Sequence, residues 1–148
     1  MPSLSKQISI PYAPEQIFDL VSDVARYPEF IKWIRDMKVS GLREEQGIRY
    51  FRGEASVGFK GFSERFSTDV AADPEKHTID VSLVRGPFRR LKNRWALGKA
   101  SDGTTLVDFF IDYEFRNPVL SLLARANTDL AVSKIMTAFR QEADRRYG

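Results

Sequence analysis

The sequence predicts an α+β fold: a curved antiparallel sheet of about seven strands gripping one long C-terminal helix, with two short helices after the first strand. Three observations carry this. The last thirty residues hold no proline or glycine between Pro118 and Gly148, and their apolar side chains recur at helical spacing. Residues 37–116 instead alternate apolar and polar side chains with a period of two. The alternating runs are separated by turns too short for a crossover helix, so successive strands must be antiparallel neighbours.

Residues 4–11 read as the first strand, with Leu4, Ile8 and Ile10 of one parity. Pro14 then opens a helix, with Glu15 in the first turn where the backbone dipole favours an acid. Ile17, Phe18, Leu20, Val21 and Val24 form its apolar face. In the run Arg26-Tyr27-Pro28-Glu29-Phe30-Ile31-Lys32-Trp33, the proline stands near the start of a second short helix. Phe30, Ile31 and Trp33 are too apolar for a solvated linker, so this helix pair should close one end of the sheet. Core packing is the first reading of that aromatic cluster, and a lid over a ligand is the other.

The strands follow in order. Met37 and Val39 alternate with Lys38 and Ser40, and Phe51, Gly53, Ala55 and Val57 with Tyr50, Arg52, Glu54 and Ser56. Phe62, Glu64, Phe66, Thr68 and Val70 share a parity, broken chemically by the charge at Glu64. Ile79, Val81 and Leu83 come next, then Leu91, Asn93, Trp95 and Leu97, then Val107, Phe109, Ile111, Tyr113 and Phe115. Turn signals lie between them at Glu45-Gln46-Gly47, at residues 58–61, at Asp73-Pro74-Glu75-Lys76, at Gly86-Pro87 and at Ser101-Asp102-Gly103. One face of this sheet is bulky and apolar, and the terminal helix is the one element large enough to cover it.

That helix opens with Asn117-Pro118, a good N-cap followed by proline at the first helical position. It carries two apolar stripes. Val119, Leu122, Leu123, Ala126 and Leu130 form one, turning small and polar at Ser133 and Thr137; Val132, Met136, Phe139, Ala143 and Tyr147 form the other. The stripes lie about 120° apart at about 100° per residue, which predicts a wide buried face. Thirty residues span roughly 45 Å, so the small side chains Ala126, Ser133 and Thr137 are expected to leave room inside the grip for something else.

At 148 residues the chain fits one domain, 1–148, that can bury roughly 70% of its unfolded surface without staples. It has no cysteine and one histidine, which excludes disulfides, thiolate chemistry, Cys/His metal sites and Cys–His nucleophiles. The first residues contain no apolar run of signal-peptide length, and no window is apolar enough to span a bilayer, so a cytoplasmic protein is expected. The net charge of +3 permits an anionic partner surface without demanding one.

Few residues point to chemistry. His77 falls in a turn, where a solvated imidazole without a partner is the expectation. Asp108, Asp112 and Glu114 have the outward parity, so a paired-carboxylate acid/base site there would lack a pocket. Glu64 has the inward parity and would need a partner such as an arginine. The glycines of residues 58–61 and Gly98 lack the Lys-Ser/Thr and the strand–loop–helix context of a phosphate loop. The most informative surface feature is residues 85–94, where Arg85, Arg89, Arg90, Lys92 and Arg94 surround a Gly86-Pro87 turn bearing Phe88 and Leu91. This mixture suits an anionic membrane surface, or RNA through phosphate neutralisation and stacking, or a plain solvated hairpin whose Phe88 tucks into the core.

The segment from Pro11 through Pro14-Glu15-Gln16-Ile17-Phe18 to Tyr27-Pro28-Glu29-Phe30-Ile31-Lys32-Trp33 resembles the opening of the START-like, polyketide-cyclase-type proteins, in the branch of the mitochondrial coenzyme Q-binding protein. Gly86-Pro87-Phe88, Trp95 and the ending with Met136, Phe139, Ala143 and Tyr147-Gly148 extend the resemblance over nearly the whole chain. It implies a helix-grip fold with a deep apolar cavity between the sheet and the terminal helix. It also implies a bound ubiquinone or polyprenyl quinone precursor, in support of respiration and quinone synthesis, with no other cofactor, no metal and no catalytic residues. Parity and spacing map that cavity onto Phe51, Phe66, Trp95, Phe109, Tyr113, Leu130 and Phe139. The same branch includes bacterial toxins directed at ribosomal subunit association, so the resemblance leaves a ribosome-binding inhibitor as the alternative to a lipid carrier. A polyketide cyclase or aromatase comes third, with Glu64 and Tyr113 the available polar groups. A hydrophobic ligand, peripheral contact with an anionic membrane and the ribosome are thus the expected partners, and DNA is not.

Overall fold

The structure is a computed structural model that describes residues 3–59 and 61–148. Strand β1 (Ser3–Ile10) leads into helix α1 (Pro14–Ser22) and a 3₁₀ helix (Val24–Glu29). Strands β2 (Ile34–Glu45), β3 (Ile48–Phe59), β4 (Phe62–Asp73), β5 (Thr78–Arg85), β6 (Phe88–Lys99) and β7 (Thr105–Phe115) follow, and helix α2 (Pro118–Tyr147) ends the chain. All pairings are antiparallel, in the order β1-β7-β6-β5-β4-β3-β2. The seven strands, the two short helices and the long terminal helix are those the periodicity predicts. Pro28 falls late in the second short helix rather than at its start, which shortens that element to a 3₁₀ turn and leaves Phe30 to Trp33 beyond it.

The turn chemistry explains the registers. Gln46 and Gly47 both have positive φ, 53° and 84°, the pair of left-handed residues that a two-residue hairpin between Glu45 and Ile48 requires. Asp73 Oδ1 accepts from the backbone N–H groups of Glu75 and Lys76, closing the β4–β5 turn. The expected turn over residues 58–61 includes residue 60, which lies outside the described residues. Gly86, with φ of 152°, brings its backbone so near Phe66 that an added Cβ would lie 2.4 Å from the Phe66 Cβ. A glycine is therefore required where β5 passes into β6.

Side chains of one parity point to the helix side. Trp95 pairs with Phe109 and Ile79 in one cross-strand row, and all three are buried. Onto this row packs the C-terminal half of α2. The Phe139 ring stands edge-on to Trp95 at 4.9 Å and to Tyr27 and Phe30 at 5.2 Å each. The aromatic cluster of residues 27–33 is thus core, not lid. Val132, Met136, Phe139 and Ala143 are buried, as their stripe predicts, and Tyr147 stacks obliquely on Tyr12.

The other stripe is different: Val119, Leu122, Leu123 and Leu130 are 62%, 69%, 48% and 55% exposed. Two stripes about 120° apart cannot both meet one sheet face unless the sheet wraps far round the helix. Here it wraps only the C-terminal half. In the N-terminal half Leu120, Ser121, Ala124 and Thr128 are the half-buried side chains; Ala126 there, and Thr137 in the other half, both expected inside, are exposed. Asn117 caps this half by accepting from the N–H of Val119 at 2.8 Å.

The anchored half carries one buried acid. Glu142 accepts from Arg145 Nη2 at 2.6 Å and from Arg146 Nε at 2.7 Å, and its side chain is 5% exposed. Arg146 lies in turn against the face of Phe30. Hydrogen bonding to Arg145 and then Arg146 outweighs desolvation and pulls the Glu142 carboxyl from 4.5 down to about 2. A pKa depressed in the folded state contributes stability that is complete above about 4.5 and is lost as pH falls toward 2.

Two outcomes follow from these contacts. Glu142→Gln should lower stability at neutral pH by about 2 kcal/mol, the exposure of Arg145 keeping the loss below that of a fully buried pair. Urea titrations from pH 7 to 2 should show parent and variant converging at the acid end, where a constant difference would contradict the ion-pair account. Gly86→Ala should lower the urea midpoint by the equivalent of about 1–3 kcal/mol, because neither its φ nor the Phe66 contact can relax without moving a strand.

Candidate ligand-binding groove

Burial along the inner face of the sheet falls in steps. The row of Ile79, Trp95 and Phe109 is buried, with Phe139 of α2 against Trp95. In the next row Phe51 and Val70 are buried, but Val81, Asn93, Ile111 and Leu4 are only half-buried. Beyond it Leu83, Leu91 and Tyr113 are again half-buried. These side chains have the inward parity and are largely apolar, so what leaves them accessible is the helix. Above them α2 presents short side chains, the methyl group of Ala124 and the hydroxyl of Thr128, with Leu120 and Ser121 half-buried nearer its start.

Tyr113 sets the distance. Its hydroxyl meets Thr128 Oγ1 at 2.7 Å and Ala124 O at 3.4 Å. Thr128 donates its own proton to the Ala124 carbonyl at 2.7 Å, so its oxygen is free to accept from Tyr113. The phenol acts as a strut between β7 and the N-terminal half of the helix. Farther along, Lys6 of β1 points inward and donates from Nζ to Ser133 Oγ at 3.0 Å. The groove thus has an apolar floor and two polar tethers on its β1–β7 side, the arrangement of an elongated apolar molecule's site with few orienting polar groups.

The seven side chains expected to line a cavity divide into three groups. Phe51, Trp95, Phe109 and Phe139 are 8%, 4%, 4% and 3% exposed and fill the core, so they form the closed end of the groove rather than its wall. Phe66 and Tyr113 are half-buried and reach the open part. Leu130 is on the opposite side of α2 and faces away from it. Parity finds the correct face of every strand but not how deep the helix presses, which depends on Tyr113, Ala124 and Thr128.

The polar candidates do not converge on a catalytic centre. Glu64 pairs with Val57 across β3–β4 on the inward parity, with no ion pair among the described residues, so the expected arginine partner is not found there. It is three strands away from Tyr113, about 14 Å across the strands, and four residues beyond Thr68, which lies in the row of Tyr113, about 13 Å farther along β4. Asp112 and Glu114 face outward and are both held by Arg90, at 3.0 Å and 2.5 Å. His77 is not freely solvated: its ring lies 5.8 Å from that of Phe18, in a residue with φ of 54°. No group of acids and histidine able to hold a metal ion occurs among the described residues.

The basic turn of residues 85–94 is also rearranged. Phe88 points inward, 8% exposed, stacked on Phe115 at 4.6 Å and edge-on to Phe66 at 5.4 Å, so it is not a membrane anchor or a stacking platform for bases. Arg85 reaches Glu54, Arg90 is bound as described, and Arg94 holds Asp80 at 2.8 Å. Arg90 and Arg94 neutralise acids of adjacent strands on the outer face of the sheet, and Arg85 one on β3, two strands away. Lys92 is exposed on that outer face. Arg89 differs from all of them, because a register shift between Phe88 and Arg90 leaves it outside the ladder and turns it toward the start of α2.

The chain resembles proteins of two different descriptions. The profile of the family described as polyketide cyclase/dehydrase and lipid transport matches residues 10–140. The mitochondrial coenzyme Q-binding protein coq10 of Schizosaccharomyces pombe is 33% identical over 136 residues, 90% of this chain and 82% of that protein. The ribosome association toxin RatA of Rickettsia prowazekii is 31% identical over 137 residues, 90% of either chain. The solution structure of an 18 kDa protein of Caulobacter crescentus matches with a TM-score of 0.83 at 36% identity, covering 98% of this chain and 97% of its own. A grip of seven strands on one long helix, matched in sequence over nearly its full length, places the chain in the polyketide cyclase/dehydrase and lipid transport family.

Proposed function

We propose that this protein binds an elongated apolar lipid of the polyprenyl-quinone type, ubiquinone or a polyprenyl precursor of it, as a carrier rather than as an enzyme. One observation carries the reading: the inner face of the sheet stays half-exposed and apolar along Val81, Ile111, Leu83 and Leu91, where Tyr113 meets α2 at the short side chains of Ala124 and Thr128. Burying such a face against an isoprenoid tail is favourable by about 25 cal/mol per Å² before the entropic costs of binding. The Lys6 ammonium, which spends one of its three protons on Ser133, offers donors to the carbonyl oxygens of a quinone ring. The similarity to a coenzyme Q-binding protein supports this ligand class, and the separation of Glu64 from Tyr113 argues against acid–base chemistry.

A second reading, a ribosome-directed inhibitor, is favoured by the similarity to RatA and by the exposed arginines Arg89, Arg116 and Arg125. It requires binding to ribosomal subunits that weakens steeply with salt.

Protein purified without detergent from a quinone-making host should yield, on organic extraction and mass spectrometry, a polyprenyl quinone or precursor at close to one per chain. Thr128→Leu, which fills the space under the helix and removes the acceptor for Tyr113, should remain folded and lose at least tenfold in ligand occupancy. A folded parent that carries no such lipid and takes up none when offered it would overturn the carrier reading.

A further inference from the structure

The most apolar stripe of α2 faces away from the protein. With Val119 as origin and about 100° per residue, Leu122, Leu123, Ala126 and Leu130 fall within an arc of about 100°, while Thr128 lies about 180° round, against the sheet. The stripe is continuous for about 17 Å and is aliphatic throughout. Its exposed area is on the order of a few hundred Å², the size at which an uncovered apolar patch marks an interaction site.

The charges beside it are mainly positive. Arg89, Arg116 and Arg125 line a single surface groove with Phe115, Pro118, Ser121 and Leu122. The one carboxylate of that lining, Glu114, is already held by Arg90 at 2.5 Å. Arg89 reaches this groove because of the bulge that displaces it from β6, and Arg116 immediately precedes the cap of α2. The single acid on this stretch of helix, Asp129, is about 80° off the centre of the stripe, with the Arg125 guanidinium on the same flank.

We infer that the N-terminal half of α2 is a docking surface for an anionic lipid bilayer. Val119, Leu122, Leu123 and Leu130 enter the boundary between headgroups and acyl chains, and Arg89, Arg116 and Arg125 bind lipid phosphates at headgroup level. An amphipathic helix lying in the interface plane has this pattern of an aliphatic face bordered by cations. RNA fits it less well: the stripe offers no aromatic ring for bases to stack on, and its leucines would gain nothing from a phosphate backbone. The inference does not rest on what the groove beneath the helix holds, although docking here would bring the open part of that groove close to the membrane.

The test uses the full chain and large vesicles, either of phosphatidylcholine alone or with added phosphatidylglycerol. The parent should co-sediment with the anionic vesicles and not the neutral ones, and salt should release it. Leu122→Asp combined with Leu130→Asp changes only exposed positions. It should leave the circular dichroism and melting temperature unchanged and weaken vesicle binding more than tenfold. Replacing Arg89, Arg116 or Arg125 by Ser should weaken it about fivefold each. Because the chain has no cysteine, a polarity-sensitive dye on Leu122→Cys should shift to the blue with anionic vesicles, and the same dye on Glu75→Cys, in the β4–β5 turn, should not.

Absence of vesicle binding by the parent, equal binding by the leucine variant, or no dye shift at position 122 would overturn the inference. So would a parent dimer that Leu122→Asp dissolves, which would assign the stripe to a second copy. Binding of ribosomal subunits that needs the three arginines but not the leucines, without vesicle binding, would assign the surface to RNA instead.

Discussion

The Phe139 ring, edge-on to Trp95 of the sheet and to Tyr27 and Phe30 of the end cap, joins the three parts of the molecule at one point. Everything else about α2 follows from its being fixed there. A thirty-residue helix pinned over its last four turns must extend beyond its pin. What the sheet offers to the remainder is one phenol, Tyr113, that reaches the helix backbone at Ala124 and the hydroxyl of Thr128. The Glu142 pair with Arg145 and Arg146 sits on the pinned half as well, with Arg146 against Phe30, so the polar and aromatic contacts reinforce the same end. The long helix therefore has a tight half and a loose half, and the two have different work.

The tight half makes the fold. The loose half makes a groove on its inner side and an apolar stripe on its outer side. Both are departures from the packing that a hydrophobic stripe ordinarily seeks. The groove exists because Ala124 and Thr128 are short and Tyr113 is long; the stripe is exposed because the sheet does not wrap far enough to reach Leu122 or Leu130. Such departures concentrate where a protein meets a ligand or a surface. A lipid under the helix and a bilayer outside it would cover both faces with the same kind of material, and each face is apolar with cations or hydroxyls only at its margins.

Much of this was legible in the residues and part was not. The alternation in β7, Val107 to Phe115 against Asp108 to Glu114, identifies the strand and its inward face, because every charge falls on one parity, with Phe110 the one ring that shares it. The turn at Gln46-Gly47 was likewise legible from Gly47, which adopts a left-handed backbone without strain, whereas the left-handed Gln46 beside it gave no such signal. The second stripe of α2, from Val132 to Tyr147, was read correctly as buried. The first stripe was not, since periodicity reports which residues share a side of a helix and is silent on whether anything lies opposite. A signal was present: this stripe ends in Ser133 and Thr137 just where the buried one begins, so only one of them runs into the anchored end. For the basic turn, counting cations overlooked that Asp80, Asp112 and Glu114 stand on adjacent strands, where Arg90 and Arg94 meet them directly. Arg89 is instead gathered with Arg116 and Arg125 by a bulge and a helix start that linear spacing does not display.

The central claim is that α2 is anchored from Val132 onward and stands off the sheet before it. Native-state hydrogen exchange of the helix amides, with and without a short-chain quinone, tests this directly. The account predicts that amides of residues 122–131 exchange at least tenfold faster than those of residues 134–146 in the free protein, and that added quinone slows the first group selectively. Uniform protection along the whole helix, unaltered by the ligand, would contradict it.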